Sequence, residues 1–460
     1  MQSLLAIARL TFKAAFRFRL VPLLSAILVG GVVLLPAVIK DDGTAEGMTQ
    51  IVLTYTLGLT VTILGITTLW LACGTLARDI EECQLQLVDV KPVGRWKVWV
   101  GKWLGIMMVN LLWLVVAAVV IHVQLQWRAR RLPPEEQATL RNEVFVARGS
   151  IKPPMPDIQG EVERIMQERL KETDMTGVDL RELRRLIEEA VKTQYQVVRP
   201  GWVRTWTINL GERAERLRDQ PLFLRIRFYT ADRTGTYRTY QTQWLFGPPE
   251  GPVNQRETLS LAPESFHEIR LQPGLIGKDG TLTIQMFNPN QKGLLFQFED
   301  GFELLYREGD FTPNYIRGLG ILACWLALLA ALGLATASRL SFPVAAFVSL
   351  GLLIVAFSTG TMRSVIEQGT ILGVNPETGR VDQPNLFDTA SVAFFKALLW
   401  VVNLVRDFSP IQNLSTGRTV SWGTLLRAVG QIVLLMGGLF ALTGIALLER
   451  RELAAAQNQT

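Results

Sequence analysis

Long apolar stretches separated by polar segments dominate the pattern of this chain. Six apolar runs each approach the ~20 residues that a helix needs to cross ~30 Å of hydrocarbon. Five of them hold no Lys, Arg, Asp or Glu beyond their first or last few residues. The runs lie at about 21–39, 51–76, 103–125, 315–337, 342–359 and 425–448. The pattern therefore predicts a polytopic α-helical membrane protein with six transmembrane helices.

A polar insertion between the third and fourth runs changes period partway along. From 126 to 200 the segment is rich in Glu and Arg, and Ile158, Val162 and Ile165 recur at helical spacing. This part is predicted to be a helical stalk. From 201 to 312 apolar and polar residues alternate, which predicts an antiparallel β-sandwich with a jelly-roll or immunoglobulin-like fold. The membrane part then comprises 1–125, with a polar loop at 78–102, and 313–460.

Local signals add detail to the outer segments. Asp300-Gly301 lies between two apolar runs, which predicts a β-hairpin. The aromatic residues of the sandwich either fill its core or stack on sugar or lipid groups, and core packing is the simpler interpretation. A short apolar stretch near 391–406 is interrupted by Lys396, Asn403 and Arg406, so we expect a re-entrant or interfacial helix there.

Charge decides the expected orientation. The leader carries Arg9, Lys13, Arg17 and Arg19 without an acid, whereas the next loop, 40–50, has one Lys and three acids. Positive residues favour the cytoplasmic side, so we expect both termini inside and the insertion outside. The leader itself has the pattern of an amphipathic helix in the membrane interface.

Composition and motif searches exclude several functions. Residues 126–314 carry 27 Lys plus Arg and 27 Asp plus Glu, which excludes a nucleic-acid surface. The insertion has no cysteine for a disulfide, and the two histidines are far apart, so we expect no metal site. No phosphate loop, G-x-S-x-G elbow or HExxH motif occurs. We therefore expect no enzyme activity and no cofactor, and any nucleotide must bind another polypeptide.

The polar loop between the second and third runs is the most patterned segment. Its acidic residues are predicted to form the polar face of a short helix, whose Ile80, Leu85 and Leu87 enter a groove of a partner. Pro92 and Gly94 would end that helix. The chain would be held at the lipid headgroups by Arg95, Lys97 and Lys102. Motion of the partner would then pass to both neighbouring spans. A solvated loop that only obeys the positive-inside bias is the alternative.

Three strings in this loop are similar to the cytoplasmic loop of bacterial ABC-2 type permeases. They are Arg78-Asp79-Ile80-Glu81-Glu82, Val90-Lys91-Pro92-Val93-Gly94-Arg95 and Gly101-Lys102-Trp103-Leu104-Gly105. The tail from Ala446 to Leu453 resembles the arginine-rich end of that family's last span. The ATPase-coupling residues that the resemblance implies are Asp79, Glu81, Glu82, Lys91, Pro92, Arg95, Gly101 and Lys102.

The resemblance implies a permease subunit of an ABC transporter in the bacterial inner membrane. Such a subunit forms the translocation path as a homo- or heterodimer among membrane lipids, and separate ATPase subunits drive it. Members usually have short outer loops, so the large insertion suggests a large or lipidic substrate or an extracytoplasmic partner of the β-sandwich. The alternative is a non-transporting membrane receptor or assembly factor whose sandwich binds a ligand or protein.

Overall fold

The chain forms two compact units in the computed structural model. One unit comprises Met1–Ala147 and Gly309–Thr460, and the other comprises Arg148–Glu308. The structure describes residues 2–17, 20–39, 43–89, 93–172, 180–230, 239–248, 253–298, 300–368, 386–406 and 408–451.

The first unit is helical. Its helices before the insertion are α1 (Gln2–Ala15), α2 (Leu20–Val38), α3 (Ala45–Glu81), α4 (Gln84–Asp89), α5 (Arg95–Ala129) and α6 (Pro134–Thr139), the last followed by a π-helical turn at Leu140–Val144. In the second unit lie α7 (Ile158–Glu172), α8 (Leu180–Gln196) and α9 (Ala214–Leu217). After the insertion come α10 (Phe311–Ala337), α11 (Phe342–Phe357), α12 (Thr359–Gln368), α13 (Leu386–Arg406), α14 (Pro410–Ser415), α15 (Trp422–Ala428), a π-helical segment at Val429–Gly437, and α16 (Gly438–Glu449).

Several helices are long and apolar enough to cross a membrane. Among the described residues five helices meet this test by length and composition, at Ala45–Glu81, Arg95–Ala129, Phe311–Ala337, Phe387–Val405 and Trp422–Glu449. A sixth is counted if α11 and α12, which are bent by 59° at their junction, form one broken span. These helices indicate a membrane-embedded protein.

The membership of this set differs from the sequence prediction. The apolar part of α2, Val21–Pro36, is shorter than the spanning helices. Conversely, α13 extends the predicted 391–406 helix to 21 residues, so its length and composition also suit a span. Lys396 lies mid-helix and interrupts the apolar run in sequence, but 21 helical residues reach about 30 Å.

The second unit is built mainly from antiparallel β-sheet. Its long strands are β1 (Val146–Ile151), β2 (Val203–Asn209), β3 (Leu222–Ile226), β4 (Tyr240–Phe246), β5 (Gln255–Leu261), β6 (His267–Leu271), β7 (Thr281–Phe287) and β8 (Phe302–Asp310). They form two four-stranded sheets of order β1-β8-β3-β6 and β2-β7-β4-β5. Successive strands switch sheets except β4 and β5, which pair with each other, and this is the strand order of an eight-stranded jelly roll. Three two-residue strands, Val197–Val198, Tyr229–Thr230 and Leu294–Leu295, form a third small sheet.

One hydrophobic core joins the two large sheets. Trp244 and Met286 from one sheet pack in the same cluster as Leu224 and Leu304 from the other. Trp206 packs against this cluster and stacks on Phe302, as expected for core aromatics. The alternation of the strands therefore buries one side of each sheet against the other.

Strand β1 corrects the predicted stalk. It lies inside the 126–200 segment that the sequence predicts to be helical, although α7 and α8 are helices there. Four of its six residues are buried, so the alternation that marks the other strands is missing. Gly149 is required because a side chain there would occupy the position of the Tyr306 ring.

The predicted hairpin at Asp300-Gly301 is wrong. Leu294–Leu295 pairs with Val197–Val198 and with Tyr229–Thr230 rather than with β8. Strand β8 pairs instead with β3, with Phe302 opposite Ile226. Asp300 accepts a hydrogen bond from Arg227 Nη1 at 2.8 Å, so its role is a contact between segments distant in sequence.

Candidate functional site

The loop between α3 and α5 folds as a tight turn followed by a short helix. Helix α3 ends at Glu81, and the Glu82 amide donates to the Arg78 carbonyl oxygen at 2.8 Å. Cys83 then takes the left-handed conformation with φ of 58°, which turns the chain into α4. A short helix is therefore present at Gln84–Asp89, but Ile80 and Glu81, which the sequence predicts to lie on it, belong to α3. Predictions for Lys91 and Pro92 lie outside the described residues.

A buried ion pair joins α3 to α5. Lys102 Nζ lies 2.5 Å from Asp79 Oδ2 and also donates to the Thr75 carbonyl oxygen at 2.9 Å. The Lys102 residue is 5% exposed, whereas the Asp79 side chain is 34% exposed. The prediction that Lys102 reaches the headgroup level is thus wrong, because its ammonium points into the helix pair. A buried cation persists only with such partners.

Glu81 binds the start of another helix. Its Oε1 accepts a hydrogen bond from the Phe342 backbone amide at 2.9 Å. Phe342 is the first residue of α11, and the Ser341 side chain makes no capping bond there. A carboxylate near a helix N-terminus satisfies a free amide and interacts favourably with the helix dipole. Arg78 lies over the Phe342 ring at 4.8 Å, which adds a cation–π contact to the same junction.

Arg95 binds the end of the last helix. Its Nη1 donates to the carbonyl oxygens of Leu448, Glu449 and Arg451 at 3.0, 3.1 and 2.9 Å. These groups end α16, where cations are favourable. Burial lowers the pKa of Arg451, the nearby Arg339 lowers it further, and the Glu81 carboxylate opposes both. Glu81 and Arg95 thus act on neighbouring helix ends.

Gly101 serves helix packing. A Cβ at Gly101 would lie 2.8 Å from Ile7 Cγ2, and one at Gly105 would lie 2.6 Å from the Ala8 carbonyl oxygen. Helix α1 therefore approaches α5 closely along these two glycines, as small residues permit between membrane helices. Its buried positions include Ala8 and Thr11. The leader is thus an α-helix, as predicted, and it packs on the helix that follows the loop.

The exposed part of the loop is smaller than predicted. Leu85 is 3% exposed and belongs to the core of the helical unit, and Ile80 packs against the same core. Leu87 is 73% exposed and Trp96 is 46% exposed. We call Glu82, Gln86, Leu87 and Trp96, all exposed, the loop surface. Of the three predicted apolar residues, Leu87 is therefore exposed, Ile80 is half-buried and Leu85 is buried.

Sequence reasoning missed polar contacts inside the helix bundle. Thr68 Oγ1 donates to Asn110 Oδ1 at 2.9 Å, which links α3 and α5 again. The hydroxyl groups of Thr336 and Ser349 lie 2.8 Å apart beside Cys73. Asn110 is a polar residue in an apolar run, and that signal could have identified the first contact.

No group of three or more His, Cys, Asp or Glu residues that could hold a metal ion occurs among the described residues. The candidate site consists of contacts between helices around an exposed loop surface. Comparison with protein-family models, with curated proteins and with solved structures finds no match to this chain.

Proposed function

We propose that this chain is the permease subunit of an ABC transporter of the ABC-2 type. In this proposal it forms the translocation path as a dimer, and a separate ATPase subunit docks on the loop surface. The substrate is large or lipidic, and the insertion lies outside the cytoplasmic membrane. The resemblance of the loop strings to the permease family supplies the class.

The observation that carries the proposal is the number of helices that side chains at the two ends of the loop contact. The ion pair of Asp79 and Lys102 fixes α3 to α5. Glu81 holds the start of α11, and Arg95 holds the end of α16. A force on α4 therefore reaches four helices through short, charge-assisted contacts, which are the stronger class of hydrogen bond. A loop that is merely solvated needs none of these hydrogen bonds and ion pairs.

Helix length supports the same view. Helix α3 has 37 residues and so measures about 55 Å, well beyond the ~30 Å of hydrocarbon. In this proposal its loop end is the part that extends past the bilayer. An exposed Leu87 beside Glu82 and Gln86 at that end suits a partner groove that accepts one apolar side chain with a polar rim.

The test is co-purification of the full-length protein from its source cells in a mild detergent. We expect an ATPase subunit in comparable amount, together with ATP hydrolysis. Leu87→Arg should reduce the recovered ATPase at least tenfold without loss of the permease. Leu170→Arg is the matched control, because Leu170 is also exposed (48%) but lies on α7.

Two outcomes would count against the proposal in different ways. Purification without any ATPase subunit would refute the permease proposal and favour the receptor or assembly-factor alternative, in which the outer β domain carries the binding function. Equal recovery of the ATPase with Leu87→Arg and with wild type would refute docking on the loop surface.

A further inference from the structure

One face of the jelly roll has an unusual composition. In the sheet β2-β7-β4-β5 the outward positions are the odd-numbered residues of β2, β4 and β7 and the even-numbered residues of β5. The intervening residues, such as Leu282, Ile284 and Met286 of β7, are buried in the core. Outward residues of the edge strand β2 and most of those on β4 and β5 are exposed, so no described segment covers the face.

This face is almost free of charge. Of its fourteen outward side chains only Arg256 is charged, and ten are Thr, Ser, Asn or Gln. In residues 126–314, 54 of 189 are charged, so a face of this size would carry about four charges at the average. The other sheet has the opposite character. On its side away from the core, Arg225 lies between Glu303 and Glu268, and both Arg225 and Glu303 are buried.

The arrangement of the side chains is equally specific. One row across the strands reads Val203, Phe287, Gln243 and Thr258, and the next reads Thr205, Gln285, Leu245 and Arg256. Apolar Phe287 therefore has an amide beside it in its own row and another two residues along its strand.

From this chemistry we propose that the face binds a neutral, hydroxyl-rich polymer, namely a polysaccharide. Amide and hydroxyl groups both donate and accept hydrogen bonds, as sugar hydroxyls require of a partner. Phe287 and its apolar neighbours provide the surface on which the C–H side of a sugar ring packs. The site concerns the second unit alone and does not depend on the permease proposal.

Charge and size argue against other partners. A nucleic acid or an anionic lipid surface needs a cluster of Lys and Arg, and this face has one Arg. A stable protein partner needs a contiguous apolar centre, whereas here Val203 and Phe287 are adjacent and amides separate them from Leu245. Four strands spaced ~4.8 Å apart give a platform about 14 Å wide, which suits a run of several sugar rings.

The experiment is native affinity electrophoresis of the full-length protein in lipid nanodiscs, which avoids sugar-based detergents. The gels contain dextran, mannan or a β-1,3-glucan, with alginate and heparin as anionic probes. We expect at least one neutral polysaccharide to retard the wild-type protein. The double variant Gln243→Ala with Gln285→Ala should weaken that binding at least tenfold, and Phe287→Ala should do the same.

Controls separate a lost site from a damaged fold. Gln291→Ala changes an exposed amide outside the face and should bind like wild type. Circular dichroism checks that each variant unfolds at the wild-type temperature. The proposal is overturned if no neutral polysaccharide retards the protein, if the face variants bind like wild type, or if alginate or heparin binds more tightly.

Discussion

The ion pair of Lys102 and Asp79 leads to a prediction with a definite asymmetry. The Lys102 ammonium is almost fully buried and has two oxygen partners, Asp79 Oδ2 at 2.5 Å and the Thr75 carbonyl oxygen at 2.9 Å. Removing one member of a buried pair costs about 3–5 kcal/mol, because the other charge stays buried without compensation. The two members of this pair are not equally buried.

Asp79→Ala should therefore be the more damaging change. It leaves the Lys102 charge inside the helix pair, so we expect a loss of about 3 kcal/mol in the free energy of unfolding. Lys102→Met leaves a carboxylate whose side chain is 34% exposed, and water can solvate it. We expect that variant to lose about 1 kcal/mol, closer to the range of exposed pairs.

Thermal unfolding of the purified full-length protein, followed by circular dichroism at helical wavelengths, measures both changes. At about 2 °C per kcal/mol, Asp79→Ala should lower Tm by about 6 °C and Lys102→Met by about 2 °C. The double variant Asp79→Leu with Lys102→Met should be no worse than Lys102→Met alone, since it removes both charges. Equal losses from the two single variants, or the reverse order, would refute the burial argument.

Three further substitutions test other contacts. Gly105→Ala should destabilise the helical unit by about 1–3 kcal/mol because α1 leaves no room for a methyl group, whereas Gly58→Ala, with nothing within 4 Å, should not destabilise it; thermal unfolding compares the two. Gly149→Ala should destabilise the β domain against Tyr306, while Gly309→Ala on β8 meets no neighbour, so protease resistance of the domain should separate them. Arg95→Ala should cost about 1–2 kcal/mol through the three carbonyl groups at the end of α16, and faster hydrogen exchange of that last turn would show it; unchanged exchange would contradict the capping role.

The sequence predicts those elements that have an uninterrupted apolar length or a single buried side. Long apolar runs predict α3, α5 and α10, because a membrane helix needs an uninterrupted apolar length. Alternation predicts strands such as β7, because only one side of that sheet is buried. Alternation does not predict strand β1, because most of its residues are buried and its sequence shows no period of two.

The candidate site shows the same limit. Its short helix and its position between two long helices follow from the pattern of the loop. The directions of the side chains do not, because Lys102, Glu81 and Arg95 all bind groups that are distant in sequence or on another helix. A local pattern gives each of them a charge and an approximate depth. Only packing decides whether that charge faces a partner, a lipid or another helix end.

Phe145 and Phe311 stack with ring centroids 5.1 Å apart, and they stand immediately before β1 and after β8. The chain thus leaves for the β domain and returns from it at nearly the same point. The order β1-β8 in the sheet brings the two ends of the inserted sequence side by side. Because the residues that flank the inserted domain are in contact, a short linker from Phe145 to Phe311 should replace the whole domain without altering the spacing of the helices. The domain is in that sense modular: it could be acquired, exchanged or lost as one piece.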